Sequence, residues 1–161
     1  MAIEYRLSDR KAITPIEAVE DAMDAIRWVR AHAKTLGIDP RRVIAYGQSA
    51  SGQLAAIAAE IGDAAAPAII ISGVEDVVTP DAEARRFCAA INKVRGRCDV
   101  HSYPGVGHLL TRKLDPQAQF GGQFDFDPTT TADAKNRVWA FLRKHRFIDR
   151  EEKQPTPSAL S

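Results

Sequence analysis

Apolar and polar positions alternate over Ala2-Ile3-Glu4-Tyr5-Arg6-Leu7, the period of a strand. Ser8 to Ile13 is a polar connection. Thr14-Pro15-Ile16-Glu17 carries a helix start: a capping hydroxyl, proline at the first helical position and glutamate at the third. Ile16, Val19, Met23, Ile26, Val29 and Ala33 then recur at three- and four-residue steps, which predicts one long helix with a single apolar stripe. Gly37 ends it, and Ile38-Asp39-Pro40 makes the turn. Val43-Ile44-Ala45-Tyr46 is a continuous apolar run, as expected of a parallel strand covered on both faces.

The rhythm then repeats. An Ala-rich helix is predicted from Ala50 to Ile61, and a buried strand over Ala68-Ile69-Ile70-Ile71. Thr79-Pro80-Asp81 opens a third helix with Ala84, Phe87, Ile91 and Val94 facing inward and Gly96 at its end. Cys98 to Tyr103 is a fourth strand, and Pro104 to Pro128 a long loop whose length points to function. A last helix runs from Ala132 to His145, with Ala134, Val138, Phe141 and Leu142 on its core side. Alternating strands and helices predict an α/β fold with a mostly parallel sheet of about four strands and flanking helices. Residues 1–149 make one domain on this reading, and the polar stretch 150–161 a disordered tail.

Composition narrows the function. The 161 residues hold 22 Lys+Arg against 21 Asp+Glu, a net charge of +1, so there is no broad attraction to nucleic acid or an anionic membrane. No apolar run approaches the roughly 20 residues that span a bilayer. The first ten residues lack the layout of a signal peptide. The two cysteines, Cys88 and Cys98, do not make a disulfide scaffold and are each expected as a small buried apolar residue, not a ligand or nucleophile; their low number and the missing signal favour a reducing, cytoplasmic setting. No metal or organic cofactor is implied, because neither a phosphate-cradling glycine loop nor a ligand-spaced His/Cys/carboxylate cluster occurs.

The chemistry concentrates where the apolar run 43–46 meets Gly47-Gln48-Ser49-Ala50-Ser51-Gly52. A strand, a tight turn of small residues and an immediate helix are the context of a nucleophile elbow, which lifts the Ser49 hydroxyl out of the sheet at a helix N-terminus. Serine needs a base. Of four histidines, His108 lies in a glycine-rich loop past the end of a strand, where sites of open α/β sheets gather. His32 and His145 fall on or at the ends of helices, and His101 lies inside a strand. Asp76 sits past the end of another strand and is the candidate to orient the imidazole; Glu75 is the competitor. The order Ser49, Asp76, His108 is that of α/β-hydrolases.

Those segments carry a resemblance. YRLS, IRWVRAHAKTLGIDPRRVIAYGQSASGQLAA, SGVEDVVTP and YPGVGH resemble, in order, motifs of α/β-hydrolase esterases of the hormone-sensitive-lipase and acetyl-esterase kind. The likeness runs from about Ile3 to Phe147. It implies a reduced α/β-hydrolase fold and a serine hydrolase that cleaves small carboxylic esters. Ser49, Asp76 and His108 would be its catalytic residues and the Ala50 N–H an oxyanion donor. Gln48, Leu109 and Leu110 are candidates to bind substrate, and Phe120, Phe124 and Phe126 to extend an apolar site. Alternatives are an impaired remnant serving as a structural or interaction module, and a related serine peptidase.

The chain departs from the family pattern at several points. Ser51 stands where the elbow usually ends in glycine, and Ser72 where the acid loop usually starts with histidine. No His-Gly-Gly loop occurs before the elbow, and the interval from Ser49 to Asp76 is short. Such shortening would leave a sheet face and edge uncovered, which predicts a homo-oligomer formed through them.

Overall fold

In the computed structural model, residues 1–7, 15–61, 66–94, 96–112, 125–149 and 151 are described, with the side chains of 59–61 excepted. The best-ordered unit is a strand–helix–strand. Strand β1 (Ala68–Gly73) pairs in parallel with β2 (Cys98–Tyr103), from Ala68 opposite Cys98 to Gly73 opposite Tyr103. Parallel neighbours need a crossover, and the helix Asp81–Lys93 supplies it. That helix is α4 in chain order, after α1 (Pro15–Ala31), α2 (Ala33–Leu36) and α3 (Ala50–Ile61). It lays Phe87, Cys88 and Ile91 over Ala68, Ile70, Cys98 and Val100, and these side chains form the core. Helix α5 (Pro128–Lys144) packs against β1, with Ala134 and Phe141 buried.

The α/β class and all four expected helices are present, with three differences. The stripe expected over residues 15–36 is two helices that break at His32, whose ring stacks on Trp28 and whose Nδ1 meets the Trp28 carbonyl at 2.8 Å. Gly37 closes α2 in the left-handed region, as a helix-ending glycine does. The buried line of this pair runs through Ala18, Ala22 and Ala33, and Ile16 is exposed. Small residues win the centre because α1 lies close against α3. At the other end of the chain, α5 begins four residues earlier than expected. Asp127 accepts a bond from the Thr130 N–H at 2.7 Å and Pro128 takes the first helical position, a start signal hidden inside what reads as a loop.

The third difference is the sheet. Among the described residues it holds two strands, not about four. Residues 2–7 and 43–46 run without a ladder, and Ile44 and Tyr46 are 48% and 76% exposed. An apolar run reports a tendency to burial; a strand also needs a partner backbone in register, and among the described residues 2–7 and 43–46 have none. Segment 1–7 is instead fastened by side chains. The Arg6 guanidinium and N–H engage the Asp21 carboxylate at 2.8–3.1 Å, and the Tyr5 hydroxyl lies 3.1 Å from Ser51 Oγ. Val94, expected to face inward, is exposed beyond the end of α4. Phe120 and Phe124 and the tail from 152 lie outside the described residues. No helix among the described residues is long and apolar enough to cross a membrane.

The cysteines also differ from expectation: Cys88 on α4 and Cys98 at the start of β2 form a disulfide. Each is a small buried residue, as read, but the helix turns Cys88 onto the first residue of β2, where the two thiols meet. The bond closes a short loop, ten positions apart. Reduction is therefore expected to cost about 2–3 kcal/mol, seen as a lower melting temperature with reductant that Cys88→Ala/Cys98→Ala reproduces without it. A second expectation concerns Gly73. A Cβ there would collide with the carbonyl oxygens of Val106 and Gly107. Gly73→Ala should lower stability by about 1–3 kcal/mol, measured by denaturant titration.

Candidate active site

The elbow forms because its backbone has no room for anything larger. A Cβ on Gly47 would strike the carbonyl group of Ser51, so only glycine lets the chain double back there. The turn closes through Ser51 N–H to the Gln48 carbonyl at 3.1 Å and Gly52 N–H to the Ser49 carbonyl at 3.0 Å. Ser49 sits at φ +54°, the left-handed region that a non-glycine residue rarely occupies. Such strain persists where the surroundings over-determine it, and it clusters at functional sites. Ala50 opens α3, and first-turn N–H groups have no partner within their own helix. Ser51 in the usual glycine position does not prevent the turn; its hydroxyl meets Tyr5.

The other half of the site comes from the loops that leave β1 and β2. They are laced together: Val74 N–H donates to the Tyr103 carbonyl at 3.0 Å and Glu75 N–H to the Val106 carbonyl at 3.2 Å. Gly105 N–H donates to Glu75 Oε2 at 2.9 Å. Glu75 is thereby occupied as a brace, and Asp76 turns inward. The Asp76 carboxylate and the His108 imidazole are 7% and 5% exposed.

Asp76 Oδ2 lies 2.9 Å from His108 Nδ1, and His108 Nε2 lies 3.0 Å from Ser49 Oγ. The three residues singled out in the sequence therefore lie in one hydrogen-bonded run. Burial pushes the Asp76 carboxyl up. Bonds from the Thr79 N–H and hydroxyl, from His108 and from the Val78 N–H outweigh it and hold the group below the usual aspartate range. An ionised carboxylate only accepts, so Nδ1 carries the imidazole proton and Nε2 presents a lone pair to the Ser49 hydroxyl. That is the tautomer a general base at Nε2 requires.

Sequence reading missed Thr79. Its hydroxyl donates to Asp76 Oδ2 at 2.7 Å and lies 3.3 Å from His108 Nδ1. In the sequence it reads as the cap of α4; the cap position belongs to Pro80, which offers no side-chain bond. The spacing Asp-x-x-Thr was the available signal, since a hydroxyl three residues on can close back onto a carboxylate. Asp81 was missed as well. It accepts from Ser102 Oγ at 2.5 Å and Arg85 Nε at 2.6 Å, and fixes the start of α4 to the end of β2.

Leu109 and Leu110 follow His108 in a short 3₁₀ turn (His108–Leu110), both half-buried and both left-handed, at φ +56° and +61°. Phe126 pairs by a backbone bridge with Thr111 and is exposed. The Gln48 amide donates to the Tyr46 hydroxyl at 2.7 Å. The remaining histidines lie elsewhere: His32 on Trp28, His101 beside Arg137, His145 against Phe141. Among the described residues no group of three or more His, Cys, Asp or Glu is placed to hold a metal ion.

Known proteins carry the same arrangement of segments. The BD-FAE family model matches residues 1–100. Esterase LipI of Mycobacterium tuberculosis is 28% identical over 120 residues, 65% of this chain and 37% of that protein. Ethyl acetate hydrolase of Pseudomonas putida is 41% identical over 59 residues, 37% of this chain and 18% of that protein. The chain thus spans well under half the length of these curated relatives. Among solved structures, Thermogutta terrifontis esterase 2 phosphorylated by paraoxon superposes with a TM-score of 0.70 and 25% identity, covering 92% of this chain and 71% of that one. The match over most of the chain and the shared fold identify it: this chain belongs to the BD-FAE family, among the α/β-hydrolase carboxylesterases.

Proposed function

We propose that the protein is a serine hydrolase that cleaves small carboxylic esters through an acyl-enzyme. The observation that carries the reading is the unbroken run Ser49 Oγ, His108 Nε2, His108 Nδ1, Asp76 Oδ2. In the first half-reaction His108 Nε2 takes the proton as Ser49 Oγ attacks the ester carbonyl. The tetrahedral oxygen draws on the Ala50 N–H and the N-terminal field of α3. Asp76 stabilises the imidazolium, which then protonates the departing alcohol. Water repeats the sequence on the acyl-enzyme and releases the acid.

Leu109 and Leu110, fixed beside the base, face the acyl or alcohol group in this reading. Gln48, next to Ser49 and tied to Tyr46, is a candidate to touch the substrate in this reading. Relatives support a short acyl chain: one is named for ethyl acetate, and Thermogutta esterase 2 structures are described as propionate-bound and butyrate-bound. That esterase is also described as phosphonylated by sarin, which supports a reactive nucleophile in proteins of this fold. A second copy of the chain is the proposed partner, supported by the exposed Ile3, Leu7, Ile44 and Tyr46. A cytoplasmic setting, expected partly from the low number of cysteines, loses that support to the disulfide.

The test is turnover of p-nitrophenyl acetate. Ser49→Ala should abolish it, and labelling by a fluorophosphonate probe with it; equal rates in wild type and variant would remove the proposal. Asp76→Asn should lower kcat by about 10⁴-fold, because an amide favours the wrong imidazole tautomer. Acid stability gives a check free of turnover. The folded-state value of Asp76 is depressed, so its contribution is fully present above the ordinary aspartate value of about 3.9 and is lost as pH falls from there through the lower folded value. Melting temperatures should drop across that window in the wild type and drop less in Asp76→Asn.

A further inference from the structure

Asp76 has four acceptor positions, and all four are taken. Oδ1 accepts from the N–H groups of Val78 and Thr79, each at 2.8 Å, and Oδ2 accepts from Thr79 Oγ1 at 2.7 Å and from His108 Nδ1 at 2.9 Å. Backbone bonds to Oδ1 follow from the turn into α4 and would survive any side chain at position 79. The hydroxyl bond to Oδ2 depends on threonine alone. It falls on the same oxygen that holds the imidazole, and the Thr79 oxygen itself stands 3.3 Å from the ring nitrogen.

We propose that Thr79 is a positioning residue that sets the basicity of His108 through Asp76. A hydroxyl donating to Oδ2 withdraws charge from the oxygen that faces Nδ1–H. The carboxylate then stabilises the imidazolium less than it would without that bond. The same bond pins the carboxylate plane, which keeps Nε2 aimed at Ser49. Removing the hydroxyl frees Oδ2 for the ring alone, with two consequences of opposite kind. Imidazole basicity rises, and the carboxylate gains a rotation that loosens the aim of Nε2.

Other charges around the ring are the same with or without this hydroxyl. On the acid loop, Glu75 is held by Gly105 N–H. On α4, Asp81 is held by Arg85 and Ser102. Asp133 on α5 is held by Tyr103 and Arg137. In the loop past His108, Arg112 pairs with Asp125. The elbow contributes Ser49, which is neutral. A shift seen on removing the hydroxyl is therefore assignable to Thr79 itself, through its bond to Oδ2 and its 3.3 Å approach to Nδ1.

The experiment compares wild type, Thr79→Val and Thr79→Ser. The primary readout is the NMR titration of the His108 ring, assigned by its loss in His108→Gln; it needs no substrate, and only the kinetic readout rests on the esterase reading. In Thr79→Val the midpoint should move up by about half to one pH unit, the size of one hydrogen bond felt by one protonation state. Thr79→Ser should return it to the wild-type value. With p-nitrophenyl acetate, the acid limb of kcat/KM should move up with the ring, and kcat should fall about 3- to 10-fold with KM little changed. An unmoved midpoint in folded Thr79→Val, or a serine variant that behaves like valine, overturns the proposal. A wild type that titrates as expected but turns over no ester overturns the hydrolase reading and leaves this one standing. Should Thr79→Val not fold, the wild type decides: a slowly exchanging Thr79 hydroxyl proton close to the His108 ring is expected, and exchange at the solvent rate overturns the proposal.

Discussion

Two parallel strands end side by side, and everything at the site follows from how closely their outgoing loops approach. Gly73 is the point of contact: the backbone of Val106 and Gly107 occupies the space where its side chain would be. Because that distance is set by backbone against backbone, Asp76 and His108 are brought together by the ladder itself, not by flexible side chains reaching across a gap. The Val74 and Glu75 N–H groups extend the ladder past its last strand residues onto the Tyr103 and Val106 carbonyls. The disulfide and the Asn92 side chain, which bonds both the N–H and the carbonyl of Cys98, fix the far end of the same strand to α4. The acid and the base thus sit at one end of a unit clamped at the other.

Burying a carboxylate beside an imidazole would ordinarily be costly. The turn into α4 offsets that cost locally, since bonds to a charged acceptor contribute about 1.5–3 kcal/mol each and Asp76 collects three within three residues of itself. The group stays ionised because its own loop solvates it. Only then is the fourth bond, to His108, free to choose a tautomer. The same economy explains why Glu75 is not the acid, although it is next in sequence and equally charged. Its side chain turns to the Gly105 N–H, outside the turn that supplies those donors.

The site was more legible than the fold. Ser49, Asp76 and His108 could be read because each sits at a boundary marked by small residues, and strand ends in α/β proteins are where such boundaries gather. Helices were legible from period and caps, except at Asp127-Pro128, where the cap lay inside a polar loop. Strands were the weak point. Val43–Tyr46 is as apolar as Ala68–Ile71, yet one stands without a ladder and the other in the core. Composition carries no information on which backbone lies alongside. Thr79 escaped for a related reason: a hydroxyl near a helix start has two local uses, and only the structure distinguishes bonding the helix from bonding the acid. The cysteine pair required knowing that α4 turns Cys88 toward β2.

Ser49 and His108 belong to differently packed parts of the chain. Helices α1, α2 and α3 pack on one another and carry the elbow; β1, β2, α4 and α5 pack on one another and carry the base. Among the described residues, polar links across the seam include the Ser49–His108 bond, the Arg42 guanidinium on the Phe147 carbonyl at 2.8 Å and its ion pair with Asp149 at 3.7 Å. A hydrogen bond between uncharged groups contributes only about 0.5–1.5 kcal/mol net, so the Ser49–His108 bond alone does not hold the seam as the ladder holds Asp76 to His108. Ile44 and Tyr46 lie on the chain that leads directly into the elbow, and they are exposed. Burial of a side chain of that size stabilises by about 1.5–3 kcal/mol, more than the Ser49–His108 bond. Covering that segment with the proposed second copy would therefore add more to the fixing of Ser49 against His108 than the hydrogen bond between them.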